Sequence, residues 1–295
     1  MSSRLVTGFK VRWKPEDLDK FLRYHPAGIE IQEYREDLEA AWEAQQRHLT
    51  FTLAGKQLLL AIHHPGAVNG DVFDPLSPKQ TIREETRRQL ARCLELAYKL
   101  QAHSADGKVI FVVHPGGLSD SIRMDSSKLY ASLVDMLLSL LEVKKRVIIA
   151  LENMPVLYRF RSKILVANVG TTPNSLIQIF DEVGDPRLTL CFDLCHAQLA
   201  RNYLKSFHIR DFIEQLGDKI VHIHLADAKG TNIEGLPIGA GEIDFRSALE
   251  LLIEYARGQD RILTVPEIAN GHLGSGEAFI TAKKQIESLL EEFYQ

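Results

Sequence analysis

The sequence is poor in cysteine, with three in 295 residues: Cys93, Cys191 and Cys195. So sparse a set builds no disulfide framework, which argues against a small stapled extracellular scaffold. Cys191 and Cys195 bracket Asp193 in a C-x3-C spacing that is not that of a zinc ribbon, so all three read as thiols in a reducing compartment. No apolar stretch reaches membrane-spanning length, and the opening MSSRLVTGFKVRWKPEDL lacks the apolar segment of a secretory leader. There is no excess of positive charge either, since 35 Lys and Arg face 39 Asp and Glu for a net −4. That balance disfavours a protein that coats nucleic acid, although a local basic groove stays compatible with it. Low-complexity linkers and long charge runs are also missing, so nothing divides the chain. A soluble, cytoplasmic, single-domain protein spanning 1–295 with no membrane partner is expected.

What the chain does contain is a series of short apolar runs ending in metal-binding residue types. They are LLLAIHH (58–64), VIFVVHPGG (109–117), VIIALENMP (147–155), LTLCFDLCH (188–196), IVHIHLAD (220–227) and ILTVPEI (262–268). Each is β-branched or leucine-rich and too short for a helix, as buried parallel strands are. Two further strands are predicted at 5–11 and 28–32, the second ending near Glu30 and Glu33. Helices are predicted from residue 15, over 35–53, 77–103 and 126–143, from Thr172, over 202–216, from Asp244 to 256, and over 276–293. Between LENMP and Thr172 the spacing predicts an Arg- and Lys-rich loop.

Eight strand–helix alternations in about 250–300 residues match a (β/α)8 TIM barrel. A doubly wound open sheet is the alternative. It gives no reason for ligand types to end strands spread along the whole chain, whereas a barrel aims every strand's C-terminal end at one mouth.

A lone acid at a strand end is more often an ion-pair partner or a cap than a ligand. Here three of them, Glu152, Asp193 and Glu267, join His224 from a fourth strand in an O3N set. Such a set suits Zn²⁺, Mn²⁺ or Mg²⁺ and leaves positions open to substrate oxygens. His222 and His224 share a strand face, and His224 lies nearer the mouth; His222 reads as a deeper core histidine. His63 and His64 point to opposite faces, and His63 is favoured because His64 precedes Pro65 and belongs to the turn. His114 leads into Pro115-Gly116-Gly117, where a backbone can approach a ligand closely, and His196 follows Asp193 by three. His63, His114 and His196 are therefore read as auxiliary metal ligands or substrate contacts.

The blocks IALENMP, CFDLCHA, HIHLADAKG, IGAGEIDF and VPEI, in that order, resemble the xylose isomerase-like TIM barrel superfamily, which includes sugar isomerases, epimerases and endonuclease IV. The likeness runs from Ile29 to the C-terminus and is densest from Ile110 onward. For an epimerase it implies one divalent metal on Glu152, Asp193, His224 and Glu267, with Glu152 and Glu267 as the acid/base pair. For an endonuclease IV-like zinc phosphodiesterase acting on abasic DNA it implies a larger cluster that adds His63, His114 and His196. That enzyme's Asp-x-His before an Ile-Gly is replaced by Ile233-Glu234-Gly235, so only Glu234 remains there to offer an oxygen.

The 224–245 and 265–279 stretches are similar to sugar isomerase-like barrels, including modules of nonulosonate biosynthesis proteins. Arg159, with Arg161 and Lys163, forms a patch able to grip a sugar phosphate or a DNA backbone. The leading expectation is a metal-dependent sugar isomerase or epimerase with one metal and room for two. Its partner would be a small sugar or sugar phosphate, with nucleic acid only under the nuclease reading. A non-catalytic sugar- or metal-binding barrel is the third possibility, and oligomerisation is common in the family.

Overall fold

The computed structural model describes residues 4–32, 42–122, 126–143 and 147–294. Eight strands form a closed, all-parallel barrel in which chain neighbours are spatial neighbours. They are β1 (Arg4–Arg12), β2 (Gly28–Gln32), β3 (Leu59–His63), β4 (Val109–Val113), β5 (Ile148–Glu152), β6 (Leu188–Asp193), β7 (Ile220–Leu225) and β8 (Arg261–Pro266). The described residues include nine α-helices around them: α1 (Pro15–Leu22), α2 (Trp42–Leu53), α3 (Gln80–Leu100), α4 (Ser127–Val143), α5 (Pro173–Val183), α6 (Leu194–Leu204), α7 (Ile209–Leu216), α8 (Phe245–Tyr255) and α9 (Glu277–Tyr294). None of these helices is long and apolar enough to cross a membrane.

Alternation along the strands decides what reaches the site. Phe9, Val11, Ile29, Ile31, Leu60, Ile62, Phe111, Leu151 and Phe192 pack outward in the main core between barrel and helices. The intervening residues point inward. Low in the barrel these are Leu59, Leu263 and Val265, and at mid-height Ala61, Ile110, Val112, Ala150 and Cys191. At the C-terminal rim the same parity delivers Lys10, Glu30, His63, Glu152, Asp193 and His224.

The predicted elements shift in three places. The 202–216 helix is two helices, because Lys205 takes a left-handed conformation (φ 56°) that ends α6, and α7 restarts after His208, whose backbone N–H bonds the Asp211 carboxylate. Helix α6 itself begins directly at Asp193, whose side chain accepts from the His196 N–H as an N-cap. The loop after LENMP is a β-hairpin, Leu157–Phe160 with Lys163–Ala167, extended by Leu118–Ser119. Of the 35–53 helix, 42–53 is observed, while 35–41 and Glu33 lie outside the described residues.

Gly8 and Gly28 leave the space that the Leu263 side chain fills: a Cβ on Gly8 would stand 2.3 Å from the Gly28 carbonyl oxygen and 2.7 Å from Leu263 Cδ1. Backbone cannot yield there as a flexible side chain can. Gly8→Ala is expected to destabilise the fold by about 1–3 kcal/mol, read as a lower urea midpoint with an unchanged denaturant slope. An unaltered midpoint would contradict this packing.

Candidate metal centre

Glu152, at the end of β5, is fully buried and lies at the centre of the rim. Its Oε2 is 3.3 Å from His63 Nε2, 3.2 Å from His114 Nε2 and 3.5 Å from His224 Nδ1, and its Oε1 is 3.2 Å from His196 Nδ1. Asn153, the next residue, ties β5 to β6 with a reciprocal pair: its amide donates to the Asp193 carbonyl, and its oxygen accepts from the Asp193 N–H, both at 2.8 Å. That fixes Asp193 so that one carboxylate oxygen caps α6 and the other faces His224 at 3.8 Å. One donor atom each from Glu152, Asp193, His224 and Glu267 lie within 4.8 Å of one another.

Backbone carbonyls and carboxylates assign the histidine tautomers, since such oxygens only accept. His63 Nδ1–H donates to the His64 carbonyl at 2.7 Å, leaving the Nε2 lone pair toward Glu152. His224 Nε2–H donates to Glu30 at 2.7 Å, leaving Nδ1 for the cluster, 2.7 Å from Glu267 Oε2. A carboxylate behind a histidine in this way is the usual support of a metal ligand. His64 is not a turn residue open to solvent. It is buried, donates Nδ1–H to the Pro65 carbonyl and accepts the His114 N–H on Nε2, so it joins β3 to β4 with both nitrogens used. His222 donates to Glu30 at 2.5 Å and stays below the rim, in keeping with a core role.

Two residues at the heart of the site do not announce themselves in the sequence. Glu30 on β2 is fully buried and accepts both His222 and His224 on Oε2. Lys10 on β1, 4% exposed, places Nζ 3.1 Å from Glu30 Oε1 and 2.5 Å from Glu267 Oε1. Their only signal is parity: Lys10 lies between Phe9 and Val11, and Glu30 between Ile29 and Ile31.

The electrostatics call for a cation. Four carboxylates, Glu30, Glu152, Asp193 and Glu267, surround a single ammonium. Buried charges left uncompensated cost several kcal/mol each. Glu152 Oε1, Glu267 Oε2 and His224 Nδ1 are buried and make no well-aligned hydrogen bond among the described residues. Protons collect where positive charge is needed. Burial opposes a charged His224, yet Cys191, Glu30 and Glu267 hold its pKa well above the ordinary imidazole value. Burial likewise opposes a charged His196, and Asp193 with Glu152 and Glu234 holds it high. Burial, reinforced by Glu152 and Glu267, pushes the Asp193 carboxyl up to about 7. Orphaned donor atoms in an O3N set, backed by a carboxylate–histidine pair, fit a divalent metal.

Beside the cluster opens a cavity of about 260 Å³, bordered by Lys10, His114, Tyr158, His196, Glu234 and Glu267. Glu152 does not border it and sits behind His114 and His196. Glu234, on the Ile233–Leu236 strand, holds Oε2 3.7 Å from His196 Nε2. Arg159 does not reach the cavity: it is exposed on the hairpin, paired across from Ile164, while its neighbour Tyr158 faces inward near the His114 ring. Arg161 donates to the Gly70 carbonyl, away from the cluster.

Several proteins resemble this chain in sequence or in fold. An uncharacterized protein of Methanocaldococcus jannaschii is 31% identical over 198 residues, covering 65% of this chain and 61% of its own length. A probable endonuclease 4 of Mycoplasma mobile is 27% identical over 185 residues, covering 59% and 62%. The chain thus spans about three fifths of the length of these curated relatives. Among solved structures, the IOLI protein with a bound zinc atom superposes with a TM-score of 0.71 at 17% identity, covering 97% of this chain and 98% of that one. A D-tagatose 3-epimerase-like protein superposes at 0.66 with 24% identity, covering 95% and 98%. A sequence profile described as xylose isomerase-like TIM barrel matches residues 22–283, and with its barrel and rim this chain belongs to that family.

Proposed function

We propose that the protein is a divalent-metal-dependent isomerase or epimerase of a small sugar or sugar derivative. The observation that carries this reading is the convergence of Glu152, Asp193, His224 and Glu267 donor atoms beside a cavity of about 260 Å³, a volume able to take a monosaccharide. A zinc, manganese or magnesium ion bound by those four would polarise a substrate carbonyl and so acidify the neighbouring C–H. The chain's own groups supply the rest. Glu267 borders the cavity and is placed to take or return that proton, whereas Glu152, set behind His114 and His196 and away from the cavity, would hold the ion rather than carry the second proton. His114 and His196 can donate to sugar hydroxyls, and Glu234 can accept from them.

One feature favours a second reading. The His63 and His114 Nε2 atoms both face Glu152 Oε2, at 3.3 and 3.2 Å, so a second ion could share that carboxylate. This would support an endonuclease IV-like phosphodiesterase of two metals, with Ile233 and Gly235 leaving the third zinc position without its ligands.

Metal-reconstituted protein incubated with ketopentoses and ketohexoses in D2O is expected to place deuterium on the carbon next to the carbonyl, and chelation should abolish the exchange. Glu267→Gln and Glu152→Gln are each expected to slow it by about 10²–10⁴-fold. Absence of exchange, together with two or more zinc ions per chain and nicking of an abasic duplex, would establish the phosphodiesterase instead. A sugar bound without exchange or cleavage would indicate a non-catalytic barrel.

Metal affinity should also follow pH in one direction. Asp193, at about 7 in the metal-free site, is protonated below that value and must lose its proton to bind, as must His224. Affinity is therefore expected to rise from pH 6 to pH 8, by about tenfold per unit for each proton released, when measured by chelator competition. A flat profile would count against these ligands.

A further inference from the structure

We infer that Lys10 is a positioning residue that gives the two oxygens of Glu267 separate tasks, Oε2 to the metal cluster and Oε1 to the cavity, and thereby biases the site toward ions of low coordination number. The inference rests on the metal reading above and deepens it.

Lys10, Glu30, His224 and Glu267 close a ring. Lys10 Nζ bridges Glu30 Oε1 and Glu267 Oε1, Glu30 Oε2 accepts His224 Nε2–H, and His224 Nδ1 stands 2.7 Å from Glu267 Oε2. The ring determines which Glu267 oxygen can turn toward the cluster. Oε1 is held by an ammonium that is itself anchored on a fully buried carboxylate, and Oε2 is the oxygen that faces His224 Nδ1. Oε1 keeps a lone pair beyond the one Lys10 uses, and Lys10 and Glu267 both border the cavity. With Glu267 limited to one oxygen, the four protein donors and one substrate oxygen make a low-coordinate set that Zn²⁺ accepts. Freed from Lys10, the same carboxylate could offer two oxygens, which favours larger ions of higher coordination such as Mn²⁺.

Charge alone cannot mimic this effect. Removing the ammonium adds attraction for any divalent ion, and equally for Zn²⁺ and Mn²⁺ because both carry two charges. The ratio of their affinities isolates the coordination effect.

The test is chelator competition with Zn²⁺ and Mn²⁺ on metal-stripped wild type, Lys10→Met and Lys10→Arg. In K10M the preference for Zn²⁺ over Mn²⁺ is expected to narrow by about tenfold or more, whereas K10R, which keeps a cation donor, should stay close to wild type. An unchanged ratio in K10M with intact binding overturns the role of Lys10 and leaves the metal reading standing. Failure of the wild type to bind either ion overturns both. Should K10M not fold, a crystal structure of Zn²⁺-loaded wild type decides the matter: Lys10 on Oε1 with only Oε2 on zinc supports the inference, and both oxygens on zinc overturn it.

Discussion

The Glu30 carboxylate is the joint on which the rim depends. It is fully buried, yet both its oxygens are engaged, Oε1 by Lys10 and Oε2 by His222 and His224. Burial alone would drive such a group to its neutral form. The positive partners His224 and Lys10 outweigh it and hold the pKa well below the ordinary carboxylate range. A permanent negative charge at this depth orients His224 with Nδ1 outward and anchors Lys10, which in turn holds Glu267. Three strands, β1, β2 and β7, thus act on one ligand atom set through a single side chain.

Closure of the sheet makes this arrangement possible. In an open sheet the Lys10 and Glu30 faces would look to solvent, and a surface ion pair contributes about 0–1 kcal/mol. Inside the barrel the same alternation stacks apolar side chains low down and ionisable ones at the top, so the leucine and valine floor excludes water beneath the charges. Electrostatic interactions strengthen in such surroundings, and unmatched charges become costly there. The rim therefore favours positive charge strongly, through Lys10, through protons on His224 and His196, or through a metal.

The histidines divide by what their second nitrogen does. His224 and His63 each spend one nitrogen on an acceptor and present the other to the cluster. His64 spends both on the backbone and works as a tie between strands. Adjacent residues of the same type, one ending a strand and the next just beyond it, thus have unrelated roles, set by parity and by the turn at Pro65.

The sequence by itself determined the barrel and the four-residue cluster. Short apolar runs separated by helix-length segments admit few other folds, and Glu152, Asp193, His224 and Glu267 lie at the ends of such runs, where barrel geometry must gather them. It also marked Asp244 as the N-cap of α8, because a cap is a local hydrogen bond, here to the Ser247 N–H. Long-range partners were settled only by the tertiary structure. Lys10 and Glu30 carry no assigned role in the sequence, and Lys10 meets Glu267 across 257 residues of chain. Arg159 is the residue expected from sequence to contact substrate, and the hairpin instead turns its neighbour Tyr158 to the cavity. Local propensity acts over a few residues, whereas the pairing of buried charges depends on which strands become neighbours.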